Sequence, residues 1–203
     1  MNEKIKSPLR VIFMGTSSFA LMPLRVLCET EDVALVVTQP DRKAGRGLMF
    51  MASPVKEESI HHGIRCIQPE KISDPDVVLA LRDASCDLIV VTAYGQILPP
   101  EVLEIPPLGC INIHASLLPK YRGASPITTA IVGGEKVTGV TTMMMDHGMD
   151  TGDMLMLMIL ELQDSETAEE LWESLSVLGS RAILKTLKAL KDGKKTIAEI
   201  YEY

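Results

Sequence analysis

The stretch Leu9-Arg-Val-Ile-Phe-Met-Gly15 constrains the fold more than any other part of the chain. A compact apolar run closed by glycine reads as a buried strand. Ser17 or Ser18 can cap a helix from Phe19 to about Glu29, on which Leu21, Leu24, Val26 and Leu27 form a core-facing stripe, and Val33 to Thr38 is a second strand. Strand, helix and strand in that order predict an α/β, Rossmann-like fold: an open, mostly parallel sheet with helices on both faces. The first turn carries a single glycine, Gly15, followed by Thr16-Ser17-Ser18, so the G-x-G-x-x-G fingerprint of a dinucleotide site is missing.

The remainder continues the alternation. Gln39 to Gly47 is a polar, glycine-containing loop bearing Arg42, Lys43 and Arg46. Ser53-Pro54 reads as a cap with proline at the first helical position, opening a helix near Val55 to His62. Ile64 to Gln68 is a short strand, and Asp74-Pro75 opens a helix to about Ala84 with Val77, Val78, Leu81 and Ala84 turned to the core. Asp87 to Ala93 is the strongest strand, and the Tyr94 to Pro99 turn follows it at the carboxyl end where open α/β sheets bind ligands. A short helix at Pro100 to Glu104 and a strand at Cys110 to His114 come next. Ser125-Pro126 starts a helix to about Val132, strands cover Thr138 to Met145 and Met154 to Leu162, and the Asp146 to Asp153 loop joins them. Asp164-Ser165 caps the last helix, whose stripe is Thr167, Leu171, Leu175, Leu178, Ile183, Leu187 and Leu190, with Gly179 a point of interruption. Thr196 to Tyr203 is a tail with no assigned conformation. The methionines at 143–145, 154, 156 and 158 read as adaptable core filling. No repeat or linker divides the 203 residues, so a single domain is expected.

Composition excludes several classes. A net charge of −7 argues against a surface that coats nucleic acid, while leaving room for a local basic patch. No apolar run reaches the roughly 18–20 residues of a membrane span, and the polar start lacks a signal-peptide core, so a cytoplasmic protein is expected. Cys28, Cys66, Cys86 and Cys110 are scattered without a C-x-x-C pair or a histidine at zinc-ligand spacing; reduced, packed cysteines and no metal are expected.

The chemistry centres on Cys110-Ile-Asn-Ile-His-Ala-Ser-Leu-Leu-Pro-Lys-Tyr-Arg-Gly123. Side chains alternate along a strand, so Asn112 and His114 project from one face, where an amide and an imidazole can bind a developing oxyanion and move a proton. A carboxylate from Asp146, Asp150 or Asp153 could complete the set. The G-x-S-x-G elbow of a serine hydrolase is missing, and His114 has no partner at zinc spacing. Spacing alone fits acyl transfer without a covalent enzyme intermediate and fits equally well a buried Asn and His with structural hydrogen bonds. The Arg42 loop fits a solvated surface loop and also a phosphate-binding finger.

Asn112-Ile-His114-Ala-Ser-Leu-Leu-Pro-Lys-Tyr-Arg-Gly123, with Asp150-Thr-Gly-Asp153 downstream, resembles the folate-dependent formyltransferase family. Thr38-Gln-Pro-Asp-Arg-Lys-Ala-Gly-Arg-Gly47, Ser53-Pro-Val-Lys56 and Ala93-Tyr-Gly-Gln-Ile-Leu-Pro99 resemble the branch of that family acting on methionyl-tRNA. The resemblance implies 10-formyltetrahydrofolate as donor and the α-amine of initiator methionyl-tRNA as acceptor, with attack through a tetrahedral intermediate. It implies Asn112, His114 and Asp150 as the catalytic trio. Ser116, Leu117, Leu118 and Pro119 would contribute to the folate pocket, with Tyr94, Gly95 and Asp146 wrapping the pterin. Arg42, Lys43 and Arg46 would contact the tRNA. Ser125-Pro-Ile-Thr128-Thr129 departs from the family pattern near the acceptor. The C-terminal OB-type tRNA-binding barrel expected of that branch is absent from this chain. The alternatives are formyl transfer to a small amine, such as an amino sugar nucleotide or glycinamide ribonucleotide, and a non-catalytic folate- or tRNA-binding remnant.

Overall fold

The structure is a computed structural model and describes residues 7–44, 49–123, 126–162, 167–193 and 199–202. The chain divides into two compact units, one of residues 8–110 and the other of residues 1–7 with 111–203.

The first unit is a wound parallel sheet. Its strands are β1 (Arg10–Gly15), β2 (Asp32–Val37), β5 (Cys66–Ile67) and β6 (Leu88–Thr92), in spatial order β5-β2-β1-β6 with every pairing parallel. β1 and β6 are buried along nearly their whole length, as continuous apolar runs require when both faces are covered. Gly15 is needed where β1 turns: a Cβ there would stand 2.8 Å from the Ala20 Cβ and 2.9 Å from the Phe13 ring. A short 3₁₀ turn (Ser18–Ala20) then leads into α1 (Leu21–Thr30). Ser17 occupies the cap position but makes no side-chain cap bond, so the expected serine cap does not form. Leu24 and Leu27 are buried, whereas Leu21 and Val26 are half-buried. α2 (Pro54–His61) starts as expected, with Ser53 Oγ accepting from Lys56 N at 3.1 Å. α3 (Pro75–Asp83) buries Leu81 and half-buries Val77, Val78 and Ala84. α4 (Pro100–Leu103) is one turn. The polar stretch after Gln39 is not simply a loop. Arg42–Ala44 (β3) and Met49–Met51 (β4) pair antiparallel as a separate two-stranded ribbon.

The second unit has strand order β7 (Cys110–His114), β8 (Val137–Met144), β9 (Met154–Glu161) and β10 (Glu199–Glu202). β8 runs antiparallel to both β7 and β9, and β10 runs parallel to β9. The tail thus contains a strand that its polar composition hides. α5 (Pro126–Val132) precedes β8. α6 (Ala168–Lys191) is one unbroken helix lying on β8 and β9, with Leu171, Leu175, Leu178, Ile183 and Leu187 buried. Gly179 does not interrupt it, because Ser176, Gly179, Ser180 and Ala182 form a small-residue strip buried on the same helix. Its cap is Thr167 in a full capping box with Glu170, in place of a core-facing role. The alternative cap at Asp164-Ser165 lies outside the described residues. Met143, Met156 and Met158 are core, Met144 and Met145 are half-buried, and Met154 is exposed. Parallel pairing predominates within the two units, in keeping with an α/β, Rossmann-like open sheet.

Candidate active site

Asn112 and His114 stand on one face of β7, as the alternation requires, opposite Met143 and Thr141 of β8. The hairpin from β8 to β9 carries the 145–153 loop, and its Asp150 reaches back to both. Asn112 Nδ2 donates to Asp150 Oδ1 at 3.3 Å, His114 Nδ1 stands 3.7 Å from Asp150 Oδ2, and Gly123 N donates to the same Oδ2 at 2.8 Å. The three side chains expected from the sequence therefore come together. Asp150 sits at φ +52°, a left-handed conformation that aspartate tolerates better than most residues. Two glycines that the sequence reading passed over make this possible. Gly123, at φ +100°, presents its N–H to the carboxylate, and a Cβ at Gly152 would lie 1.9 Å from the Met144 carbonyl oxygen.

The His114 ring is almost buried, and its Nε2 lies 2.9 Å from the Tyr121 carbonyl oxygen. A carbonyl only accepts, so Nε2 carries hydrogen and Nδ1 is the nitrogen turned toward Asp150. Nδ1 can accept a proton, or hold one beside the carboxylate. Tyr121, also missed by sequence reasoning, is left-handed at φ +57°.

The Ser116 to Pro119 turn is tied down rather than open. Ser116 is fully buried and donates from Oγ to the Lys120 carbonyl at 2.7 Å. Thr141 Oγ1 donates to the Ser116 carbonyl at 2.7 Å and accepts from Leu118 N at 3.1 Å. The Leu118–Pro119 peptide is cis. A cavity of 310 Å³ lies against this turn, with Leu117, Leu118, Pro119, Tyr121 and Glu135 in its wall; Asn112, His114 and Asp150 do not border it.

Asp146 organises the next turn, accepting from Thr151 Oγ1 at 2.7 Å and Gly148 N at 2.9 Å. The Thr151 hydroxyl, then the Gly148 amide, hold its carboxyl below the usual carboxylate range. In the first unit, Tyr94 is buried with its hydroxyl unpartnered among the described residues, and its carbonyl accepts from Thr16 Oγ1 at 2.8 Å. Burial pushes its phenol well above the ordinary tyrosine range. Gly95, at φ +91°, follows it.

Arg42 is exposed on the ribbon and donates from Nη2 to Gln39 Oε1 at 3.2 Å. At the ribbon's foot Asp41 accepts from Lys56 Nζ at 2.6 Å and Gln68 Nε2 at 2.7 Å. Lys43 pairs with Phe50 along the ribbon backbone, and Arg46 lies outside the described residues. Among the described residues no cluster of His, Cys, Asp and Glu could hold a metal ion, and no helix is long and apolar enough to cross a membrane. The cysteines are free thiols; burial pushes Cys86 up to about 11 and Cys110 up to about 12, away from nucleophilic use.

Comparison with known proteins adds a family to this geometry. Residues 9–187 match the formyl transferase family. A methionyl-tRNA formyltransferase of Acetivibrio thermocellus is 52% identical over 185 residues, covering 91% of this chain and 60% of that protein. The chain thus spans about three-fifths of the length of such relatives. Among solved structures, a phosphoribosylglycinamide formyltransferase of Bacillus halodurans superposes with TM-score 0.74 at 26% identity, over 89% of this chain and 94% of that one. Glycinamide ribonucleotide transformylase 1 of Symbiobacterium toebii has the same fold, with TM-score 0.76 at 18% identity over 95% of this chain and 93% of its own. An Asn-His-Asp cluster at a strand end, in an α/β fold of this kind, is therefore met in a chain that belongs to the formyl transferase family.

Proposed function

We propose that this chain transfers the formyl group of 10-formyltetrahydrofolate to the amino group of initiator methionyl-tRNA, in the cytoplasm and without a metal. The observation that carries the reading is the convergence of Asn112, His114 and Asp150 within hydrogen-bonding or ion-pairing reach. The neutral amine attacks the formyl carbon, forming the new C–N bond and a tetrahedral oxyanion. Asn112, which has a second N–H beyond the one given to Asp150, donates to that oxygen. His114 takes the amine proton at Nδ1, directly or through a water, and returns it to N10 of the folate as the old C–N bond breaks. Asp150 steadies the imidazolium formed in between. The Ser116 to Pro119 turn, with Tyr94, Gly95 and Asp146, serves the folate. Ser116 acts there by shaping the turn, since its own hydroxyl is committed to Lys120. Arg42, Lys43 and Arg46 serve the tRNA backbone, a role supported by Arg42 standing exposed on a separate ribbon.

A second reading, formyl transfer to a small amine, is supported by the likeness to the Bacillus halodurans phosphoribosylglycinamide formyltransferase along 94% of that chain. One experiment separates the two: purified protein with 10-formyltetrahydrofolate and either charged initiator tRNA or small amines. Formyl-methionyl-tRNA as the product is expected. Formylation of small amines alone would overturn the tRNA assignment, and folate binding with no turnover on any acceptor would leave a non-catalytic remnant. His114→Ala should lower turnover by roughly a hundredfold or more, as loss of a general base does.

A further inference from the structure

We propose that Glu135, acting through Tyr121, is a positioning residue that fixes the orientation and tautomer of His114. The proposal rests on the formyl-transfer reading for its kinetic consequence and on geometry for everything else.

His114 can keep Nδ1 toward Asp150 only while Nε2 has an acceptor behind it, and that acceptor is the Tyr121 carbonyl at 2.9 Å. The peptide holding that carbonyl is in an unfavourable state. Tyr121 is left-handed at φ +57°, a conformation that a bulky residue adopts only when its surroundings over-determine it. The determinants are visible on both sides. The Tyr121 hydroxyl donates to Glu135 Oε1 at 2.5 Å, and Lys120 Nζ reaches the same oxygen at 3.3 Å. Just before it, the Lys120 carbonyl accepts from buried Ser116 Oγ at 2.7 Å, and Lys120 N donates to the Leu117 carbonyl at 3.1 Å. Glu135 comes from a different segment, the turn between α5 and β8, so it clamps the 117–123 loop from outside. Both residues border the 310 Å³ cavity, which the reacting trio does not, so they act at one remove from the chemistry. The bond to Glu135 also raises the Tyr121 phenol and, from the other end, lowers the Glu135 carboxyl, as a committed donor–acceptor pair should.

The test compares wild type, Tyr121→Phe, Glu135→Ala, Glu135→Gln and the Tyr121→Phe/Glu135→Ala double variant. Formyl-transfer kinetics are read together with nitrogen NMR of the His114 ring at alkaline pH. Tyr121→Phe and Glu135→Ala should each lower kcat roughly tenfold with folate KM held within about twofold, the signature of a misplaced catalytic group. The double variant should be no worse than either single one, because both cut the same link. Glu135→Gln retains an acceptor oxygen and should recover most of the loss. The wild-type ring should show hydrogen on Nε2, and the Phe and Ala variants a mixture of tautomers. Unchanged kcat and ring spectrum in Tyr121→Phe, losses that multiply in the double variant, or Glu135→Gln as damaging as Glu135→Ala would each overturn the proposal. Should wild type transfer no formyl group, the formyl-transfer reading fails, while the ring spectra still decide the clamp.

Discussion

Thr141 and Thr142 are neighbours on β8, both fully buried, and valine at either changes a hydroxyl to a methyl at nearly constant shape. Their hydrogen bonds make the outcomes unequal. The Thr141 hydroxyl serves two backbone groups, giving to the Ser116 carbonyl at 2.7 Å and taking from Leu118 N at 3.1 Å, both in buried surroundings. Thr141→Val strands both, and at about 1–3 kcal/mol for each orphaned group the loss is about 2–6 kcal/mol. Among the described residues the Thr142 hydroxyl meets only Thr186 Oγ1, at 2.7 Å, and that hydroxyl already donates to the Ala182 carbonyl at 2.8 Å. Thr142→Val therefore removes one neutral hydrogen bond and strands no donor on Thr186, a loss of about 0.5–1.5 kcal/mol. For a chain of this size, Thr141→Val should lower Tm by about 4–24 °C, at roughly 2–4 °C per kcal/mol, and Thr142→Val by only a few degrees. Urea midpoints at unchanged slope, read beside calorimetry, measure both. Equal losses, or a larger one at Thr142, would refute the assignment of Thr141 as the tie that holds the 116–119 turn.

Two further outcomes follow from the geometry. Gly152→Ala should cost at least tenfold in turnover with a smaller effect on folate binding, since its Cβ would meet the Met144 carbonyl at 1.9 Å and push the Asp150 loop off the trio; wild-type kinetics would show that the loop accommodates it. Glu58 is held below its ordinary 4.5 by the Arg25 guanidinium, whose Nε and Nη2 lie 2.9 and 2.8 Å from its two oxygens, so its stabilisation is complete above that value and lost as pH falls through the lowered one. Urea titrations from neutral to acid pH should therefore show a steeper decline for wild type than for Glu58→Gln, and parallel curves would remove this pair from the acid response.

Much of the fold was legible because its signals are local. The apolar run into Gly15, the Ser53-Pro54 cap and the alternation of Asn112 with His114 need only neighbours in sequence, and each stands as read. What stayed hidden depends on partners far along the chain. By spacing alone Asp146, Asp150 and Asp153 were equivalent, and only the family resemblance singled out Asp150; the antiparallel return of β8 and the left-handed turn at Asp150 are what bring it to Asn112 and His114. Thr167 fitted the apolar stripe of α6 by spacing, yet Glu170 three residues later makes it the cap. The tail strand β10 has its place only because β9 offers an edge. Tyr121 carried no sequence signal for its role, since it serves through its backbone carbonyl.

The bond from Asn112 to Asp150 has a consequence of a different kind. A carboxamide has two ends of nearly equal shape and opposite polarity, and nothing in its outline says which is which. Asp150 can only accept, so it sorts them: nitrogen faces the carboxylate and oxygen faces away. Replacing Asp150 with asparagine would remove this sorting along with the charge. Each amide could then greet the other either way round, and a share of the molecules would offer an oxygen where a hydrogen-bond donor is wanted. The carboxylate is thus a compass for its neighbour as well as a partner for the imidazole.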